Sequence, residues 1–197
     1  ILVKEFYRRE NGLLPWYDIF QCLKRLEWQG EIRRGYFVDG LSGVQFALPE
    51  ALDLLIKINT DGSEGHVQPA VLSSLDPALP YGGMVDWQLA DLDGEPLKIV
   101  RSSANHVAFM GAGPVLYAEN FVQRIMLIDK LPVKDLKIFA GLFSDWLRLP
   151  PPLRPRKRIE ISQIDGQAVT SSKYAKTLSK LGYETDGGSL VLWPSAL

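Results

Sequence analysis

The side chains of this sequence whose type and spacing offer the clearest chemistry are cations. Arg154-Pro155-Arg156-Lys157-Arg158 is the densest positive run in the 197-residue chain and holds no carboxylate. Prolines keep such a run extended, so one reading is a phosphate-contacting strip and the other a solubilising edge. A second group, Lys24, Arg25, Arg33 and Arg34, lies within and just after an apolar-periodic stretch. Cations gathered there would grip a phosphate backbone, the sequence-independent part of nucleic-acid affinity. Glu27 and Glu31 dilute that charge. Trp28, Tyr36 and Tyr174 would add base stacking if exposed, although core packing explains most aromatics.

Carboxylates are the other reactive groups. Asp129, Asp165 and Asp186 are the candidate general acids or bases; Asp165 and Asp186 each precede a glycine, and a turn accounts for that pairing without catalysis. Asp165 is the one catalytic candidate retained. No GxxxxGK[ST] loop is present, which excludes ATP hydrolysis by that route. Gly111-Ala112-Gly113 reads as a hairpin turn and not a dinucleotide site. Neither G-x-S-x-G nor H-E-x-x-H occurs. A single cysteine, Cys22, rules out an internal disulfide and a cysteine-based zinc site, and His66 and His106 lack ligand spacing. No metal or cofactor is expected in this chain. The net charge is −1, so any polyanion footprint must be a local patch.

The elements that position the cations follow from periodicity. Trp16, Ile19, Phe20, Leu23 and Leu26 recur at i, i+3, i+4, i+7, the stripe of an amphipathic helix. Pro15 fits its first turn and Gly30 its stop. Gly35 to Val38, the turn 39–43 and Val44 to Leu48 read as a β-hairpin ended by Pro49. Helix, arginine pair and hairpin in that order predict the second half of a winged-helix unit. Residues 1–9 read as a preceding helix broken at Asn11-Gly12, and Pro49 to Lys57 as a short helix after the wing. Residues 59–70 carry turn formers without periodicity and read as a linker. The expected domains are therefore 1–58, a linker at 59–70, and 71–197.

The second half is expected to be β-rich. Strands are predicted at 71–75, 97–100, 105–110, 115–119, 124–128 and 159–164, with a rigid loop at Asp76 to Gly83. A helix over 134–147 buries Leu136, Phe139, Ala140, Phe143 and Leu147. Residues 149–155 read as extended. Ser171 is placed as the cap of a helix reaching Leu181, and 183–193 as a terminal hairpin. The fold class is α+β: a winged-helix domain, then a small, mostly antiparallel β-rich domain with two helices. No apolar run is long enough to span a bilayer, and a cytoplasmic location is expected. The chain opens on Ile1, which suggests a piece of a longer protein.

Several segments together resemble a known family. EIRRGYFVDGLSGVQFALPEA resembles the winged-helix segment of Lhr-type proteins, the large helicase-related superfamily-2 helicases. DPALPYG, GPVLYAE, RIEISQIDG and LGYETDGGSLVLW resemble the extreme C-terminal region of the long bacterial forms. The resemblance implies ATP-dependent translocases that unwind duplexes 3′ to 5′ in DNA repair. ATP and Mg would belong to motor domains upstream of this chain. It also implies kinship with AlkZ-like DNA glycosylases, which use a Gln-x-Gln or Gln-x-Asp pair in their N-terminal part. Gln163-Ile164-Asp165 has that form but stands in the β-rich tail.

Three functions follow as expectations. The first is a noncatalytic, nucleic-acid-binding accessory region of an Lhr-type helicase, with Lys24, Arg25, Arg33, Arg34, Arg154, Arg156, Lys157 and Arg158 on phosphates. Its partners would be DNA or a DNA–RNA hybrid and the upstream helicase domains, with no membrane. The second is a DNA glycosylase removing a damaged or deaminated base, with Asp165 as its carboxylate. The third is a protein-interaction module joining copies of the chain in a homo-oligomer.

Overall fold

The computed structural model describes residues 1–8, 12–61, 68–82, 87–111 and 113–197, apart from the side chains of 60 and 61. Arg9, Asn11, His66, Gly83 and Ala112 lie outside the described residues. The chain divides into two compact units, Ile1–His66 and Val67–Leu197.

In the first unit, β1 (Leu2–Val3) leads into a single turn of helix, α1 (Lys4–Tyr7). The helix expected over residues 1–9 is therefore corrected. Leu2 and Val3 pair antiparallel with Phe46 and Gln45, a partner more than forty residues away that local pattern cannot reveal. α2 (Trp16–Gln29) follows as read, with Pro15 at its N-cap. Its end is a Schellman turn: Gly30 sits at φ 79°, Gly30 N donates to the Glu27 carbonyl and Glu31 N to that of Leu26. Leu23, Ile32 and Phe46 form the core, with Trp16, Ile19, Phe20 and Leu26 packed against them.

The hairpin pairs β2 (Arg33–Gly35) with β3 (Gln45–Ala47). The outgoing strand thus begins earlier than Gly35 and stops there. Residues 36–38 leave the ladder, and the buried Gln45 side chain takes the backbone groups of Phe37 and Val38. α3 (Pro49–Asp61) runs past the expected linker start at 59.

The second unit is built on a six-stranded sheet. Its strands are β4 (Pro69–Ser73), β7 (His106–Met110), β8 (Gly113–Glu119), β9 (Arg124–Leu127), β11 (Gln163–Ile164) and β12 (Gln167–Ala168), in the order β12-β11-β9-β8-β7-β4. β4 starts at Pro69, inside the expected linker, and ends before Leu75, which is exposed. A separate two-stranded ribbon joins β5 (Leu89–Ala90) to β6 (Pro96–Leu97), so the strand expected to reach Val100 stops at Leu97.

Neighbouring strands of the large sheet are antiparallel except β9 and β11. That parallel pair needs a crossover, supplied by α4 (Val133–Arg148). Alternation along the strands buries both faces. Ala108, Leu116 and Ala118 join Leu136, Phe139, Ala140, Phe143 and Leu147 of α4 in the larger core. Val107 and Tyr117 point the other way, toward Leu79, Leu89 and Ile99.

The strand expected over 159–164 is two strands in two sheets. β10 (Ile159–Ile161) pairs with β14 (Ser189–Leu192), which pairs with β13 (Glu184–Asp186) in a three-stranded sheet. The switch falls at Ser162, whose N–H donates to the Gln123 carbonyl and whose Oγ lies 2.8 Å from Ser189 Oγ. Residues 151–153 form a 3-10 turn, not extended chain. The last helix, α5, is Ala175–Lys180, and Ser171 belongs to a preceding 3-10 turn. The α+β class and the two helices of the β-rich unit stand.

Candidate nucleic-acid interface

The cations of the first unit do not form one ridge. Arg33 and Arg34 are adjacent in β2 and so face opposite sides of the ribbon. Arg34 turns toward α2, where its Nε meets Glu27 Oε1 at 3.0 Å. Arg25 is two residues from Glu27 on that helix, about 160° around the axis. Lys24 is half-buried, its ammonium 5.9 Å from the centroid of the Phe20 ring. Arg33 and Arg25 are exposed and have no carboxylate partner among the described residues. Trp28 and Tyr36 are 86% and 80% exposed, so both are free to stack. Tyr174 is not: it is 2% exposed and donates its hydroxyl proton to the Leu131 carbonyl at 2.8 Å. Its expected surface role is withdrawn, because it fills the core beneath α5.

The run 154–158 behaves differently. It forms one wall of a groove of about 1040 Å³ in the second unit, with Phe121, Gln123, Glu160 and Trp193 among the other lining residues. Segments far apart in sequence meet there because β10 and β14 are paired and the β8–β9 connection packs nearby. Arg156 lies over the Phe121 ring at 4.5 Å, and Arg158 over the Trp193 ring at 5.2 Å. Arg158 is also paired with Glu160 at 3.0 Å and Asp186 at 3.6 Å. Arg154 donates from Nε to the Leu149 carbonyl at 2.7 Å. Arg156 and Lys157 are exposed and have no carboxylate partner among the described residues. The groove's net positive charge therefore rests on those two and on Arg154, whose hydrogen bond to a neutral carbonyl leaves its charge uncompensated.

A strained turn carries the aromatic wall. Asn120, Phe121 and Val122 stand in succession at φ 49°, 54° and 75°. Left-handed backbone costs roughly 1–2 kcal/mol per non-glycine residue, so the surroundings must hold it. Asn105 Oδ1 accepts from Asn120 N at 3.0 Å, Phe121 N donates to the Ala104 carbonyl at 2.7 Å, and Val122 is 1% exposed. Asn120 Nδ2 also donates to Gln123 Oε1, and Arg156 to Asn120 Oδ1 at 3.3 Å. Below, Phe121 meets the edge of Trp146, which packs 4.7 Å from the His106 ring. Burial holds His106 below the ordinary imidazole range, partly opposed by the Ala104 backbone. Phe121 and Trp193 escaped the sequence reading, since neither sits beside a cation in the chain; only pairing between distant strands brings them to the run.

The carboxylates have structural employment. Asp165 and Gly166 take φ 50° and 72° in the two-residue turn between β11 and β12, as the Asp-Gly pair predicts. Asp165 Oδ1 then accepts from Leu127 N at 2.7 Å, and Asp165 N donates to the Ile125 carbonyl, extending the parallel ladder of β9 and β11 by one rung. Asp186 faces Arg158, and Asp129 Oδ1 accepts from the next residue's N–H. No three His, Cys, Asp or Glu residues converge as a metal site among the described residues.

A family model for the winged-helix domain of the large helicase-related protein matches residues 1–67. The chain is 37% identical over 71 residues to the "Lhr helicase/ probable uracil glycosylase" of Mycolicibacterium smegmatis, covering 35% of this chain and 5% of that protein. It is 26% identical over 166 residues to the "Lhr helicase/uracil glycosylase" of Escherichia coli K12, covering 82% of this chain and 10% of that protein. The chain thus spans only a small part of the length of either relative. With the helix and hairpin of the first unit there to receive it, the match assigns residues 1–67 to the large helicase-related winged-helix family, and the chain as a whole is similar to a part of two Lhr-type proteins.

Proposed function

We propose that this chain is a nucleic-acid-binding accessory region of an Lhr-type ATP-dependent helicase that unwinds DNA 3′ to 5′ in repair. ATP and Mg would act in motor domains elsewhere in the longer protein, which are also the natural partners of this region. The observation that carries the reading is the uncompensated positive charge of Arg156 and Lys157 on the groove of the second unit. Two cations on adjacent residues suit consecutive phosphates, and their affinity would fall with salt by counterion release. Exposed Arg33 at the wing offers a further contact in the first unit.

The test is DNA affinity of the full chain as a function of salt. Binding that steepens as salt is lowered, and weakens in Arg156→Ala plus Lys157→Ala, supports the reading. Absence of binding at low salt rejects it.

A second reading, removal of uracil from DNA, is favoured by the names of both relatives. Asp165 is a poor agent for it, because its Oδ1 is held by the Leu127 amide in a tight turn. Release of uracil from a uracil-containing strand, measured against a buffer control, tests that activity directly.

A further inference from the structure

We propose that the groove of the second unit takes an unpaired nucleic-acid strand, with Arg156 and Lys157 on phosphates and a base stacked on the Trp193 indole. This rests on the nucleic-acid reading above and specifies which form of nucleic acid the site selects.

The cations of the groove divide into two kinds. Arg158 is neutralised by Glu160 and Asp186 and lies over Trp193, so it braces the indole and adds no net charge. Arg156 and Lys157 keep theirs, as does Arg154, which is tied to the Leu149 carbonyl. Trp193 directly follows β14, whose four residues are all buried, yet remains 38% exposed at the groove wall. A large apolar ring left open beside unpaired positive charge is a platform for a base. Bases within a duplex are stacked on one another, whereas an unpaired strand can lend its faces to protein rings.

An acidic peptide would satisfy Arg156 and Lys157 but leave the indole without a partner. The strained turn supports the same occupant. It fixes Phe121, and with it the guanidinium of Arg156 lying 4.5 Å above the ring. A cation held in place before binding loses less freedom when it meets a phosphate.

The experiment titrates the full chain, by anisotropy and tryptophan fluorescence, with four probes. These are a short single-stranded oligodeoxynucleotide, its duplex, an abasic strand of equal length, and poly-glutamate of equal charge. The single strand is expected to bind at least roughly tenfold tighter than the duplex or abasic strand, since one stacked base is worth about 5- to 150-fold. Trp193→Ala should remove that advantage and Trp193→Phe retain most of it. Arg156→Ala plus Lys157→Ala should weaken single strand and abasic strand alike, with a salt slope shallower by about 1.4. Equal affinity for the single and abasic strands, or an unaffected Trp193→Ala, overturns the stacking site while leaving nucleic-acid binding standing. Binding to no nucleic acid at low salt overturns both. Poly-glutamate bound as tightly as the single strand assigns the groove to an acidic protein and overturns the proposal.

Discussion

The Gln45 side chain pairs with the backbone of Val38 on both edges of its amide: Nε2 donates to the Val38 carbonyl at 2.7 Å, and Oε1 accepts from Val38 N at 2.9 Å. Oε1 also accepts from Phe37 N at 2.8 Å. Gln45 is fully buried. The wing's outgoing segment is thus held to β3 by a side chain where a strand would use its backbone.

Gln45→Leu should unlatch the wing. It keeps the apolar volume and leaves the three backbone groups without a partner, each worth about 1 kcal/mol and more where water cannot replace it. A loss of about 2–4 kcal/mol is expected in the transition of the first unit. Amide exchange at Phe37 and Val38 should rise well above that at Phe46, which stays in the β1–β3 ladder.

Asn105 plays the corresponding role for the strained turn. Its Nδ2 donates to the Val100 carbonyl and the Tyr117 hydroxyl, both at 3.0 Å, while Oδ1 holds Asn120 N. Asn105→Ala removes all three bonds and should cost about 1–3 kcal/mol by denaturation. DNA affinity should fall as well, because the turn that seats Phe121 under Arg156 is no longer held. Asn105 does not line the groove, so a loss of affinity in this variant reports positioning and not a deleted contact.

The sequence was most legible where one element supplies its own signal. The stripe of α2, its glycine stop, the buried face of α4 and the Asp-Gly turn at 165–166 all lie where local pattern puts them. It was least legible where the partner is distant. Leu2-Val3 became a strand because β3 has a free edge for it, and Ile159 to Ile164 broke at Ser162 because two sheets claim its halves. The turn at Asn120–Val122 has no glycine to announce it. The cation run at 154–158 was visible at once, but its aromatic floor comes from residues 121 and 193.

Asp165 gives a prediction with a defined sign. Burial pushes its carboxyl above the ordinary range; the Leu127 amide draws it back, Asp91 raises it, Lys173 lowers it and Asp93 raises it. A carboxyl whose folded value is raised favours the fold while protonated. That contribution is complete below the unfolded value of about 3.9 and is lost as pH rises through the folded value. Asp165→Asn does not titrate, retains an acceptor for Leu127 N, and tolerates the left-handed backbone. Its melting temperature should therefore gain on the native chain's between about pH 3.5 and pH 7. Asp165→Ala should lose about 1–3 kcal/mol at either pH. Should the native chain release uracil, Asp165→Asn is expected to release it too; loss of release with an intact fold would return Asp165 to the chemistry.

The Glu27–Arg34 pair sets how much of the wing's charge is available. The two side chains are 23% and 48% exposed, so their bond should contribute at most about 1 kcal/mol to stability. Its larger effect is on the field around the ribbon, where Glu27 cancels the guanidinium nearest α2. Glu27→Gln removes one negative charge and frees Arg34 to turn outward. Affinity for a DNA duplex at low salt should rise severalfold, with a melting temperature close to the native value and a steeper salt dependence, as one more phosphate contact requires. Arg33→Ala should act in the opposite direction, since Arg33 already stands exposed on the other face of β2. If the first unit contributes to the interface, the double variant Glu27→Gln plus Arg33→Ala should return near the native affinity; if Glu27→Gln leaves duplex binding unchanged, the wing does not touch the phosphates and the second unit's groove carries the binding alone.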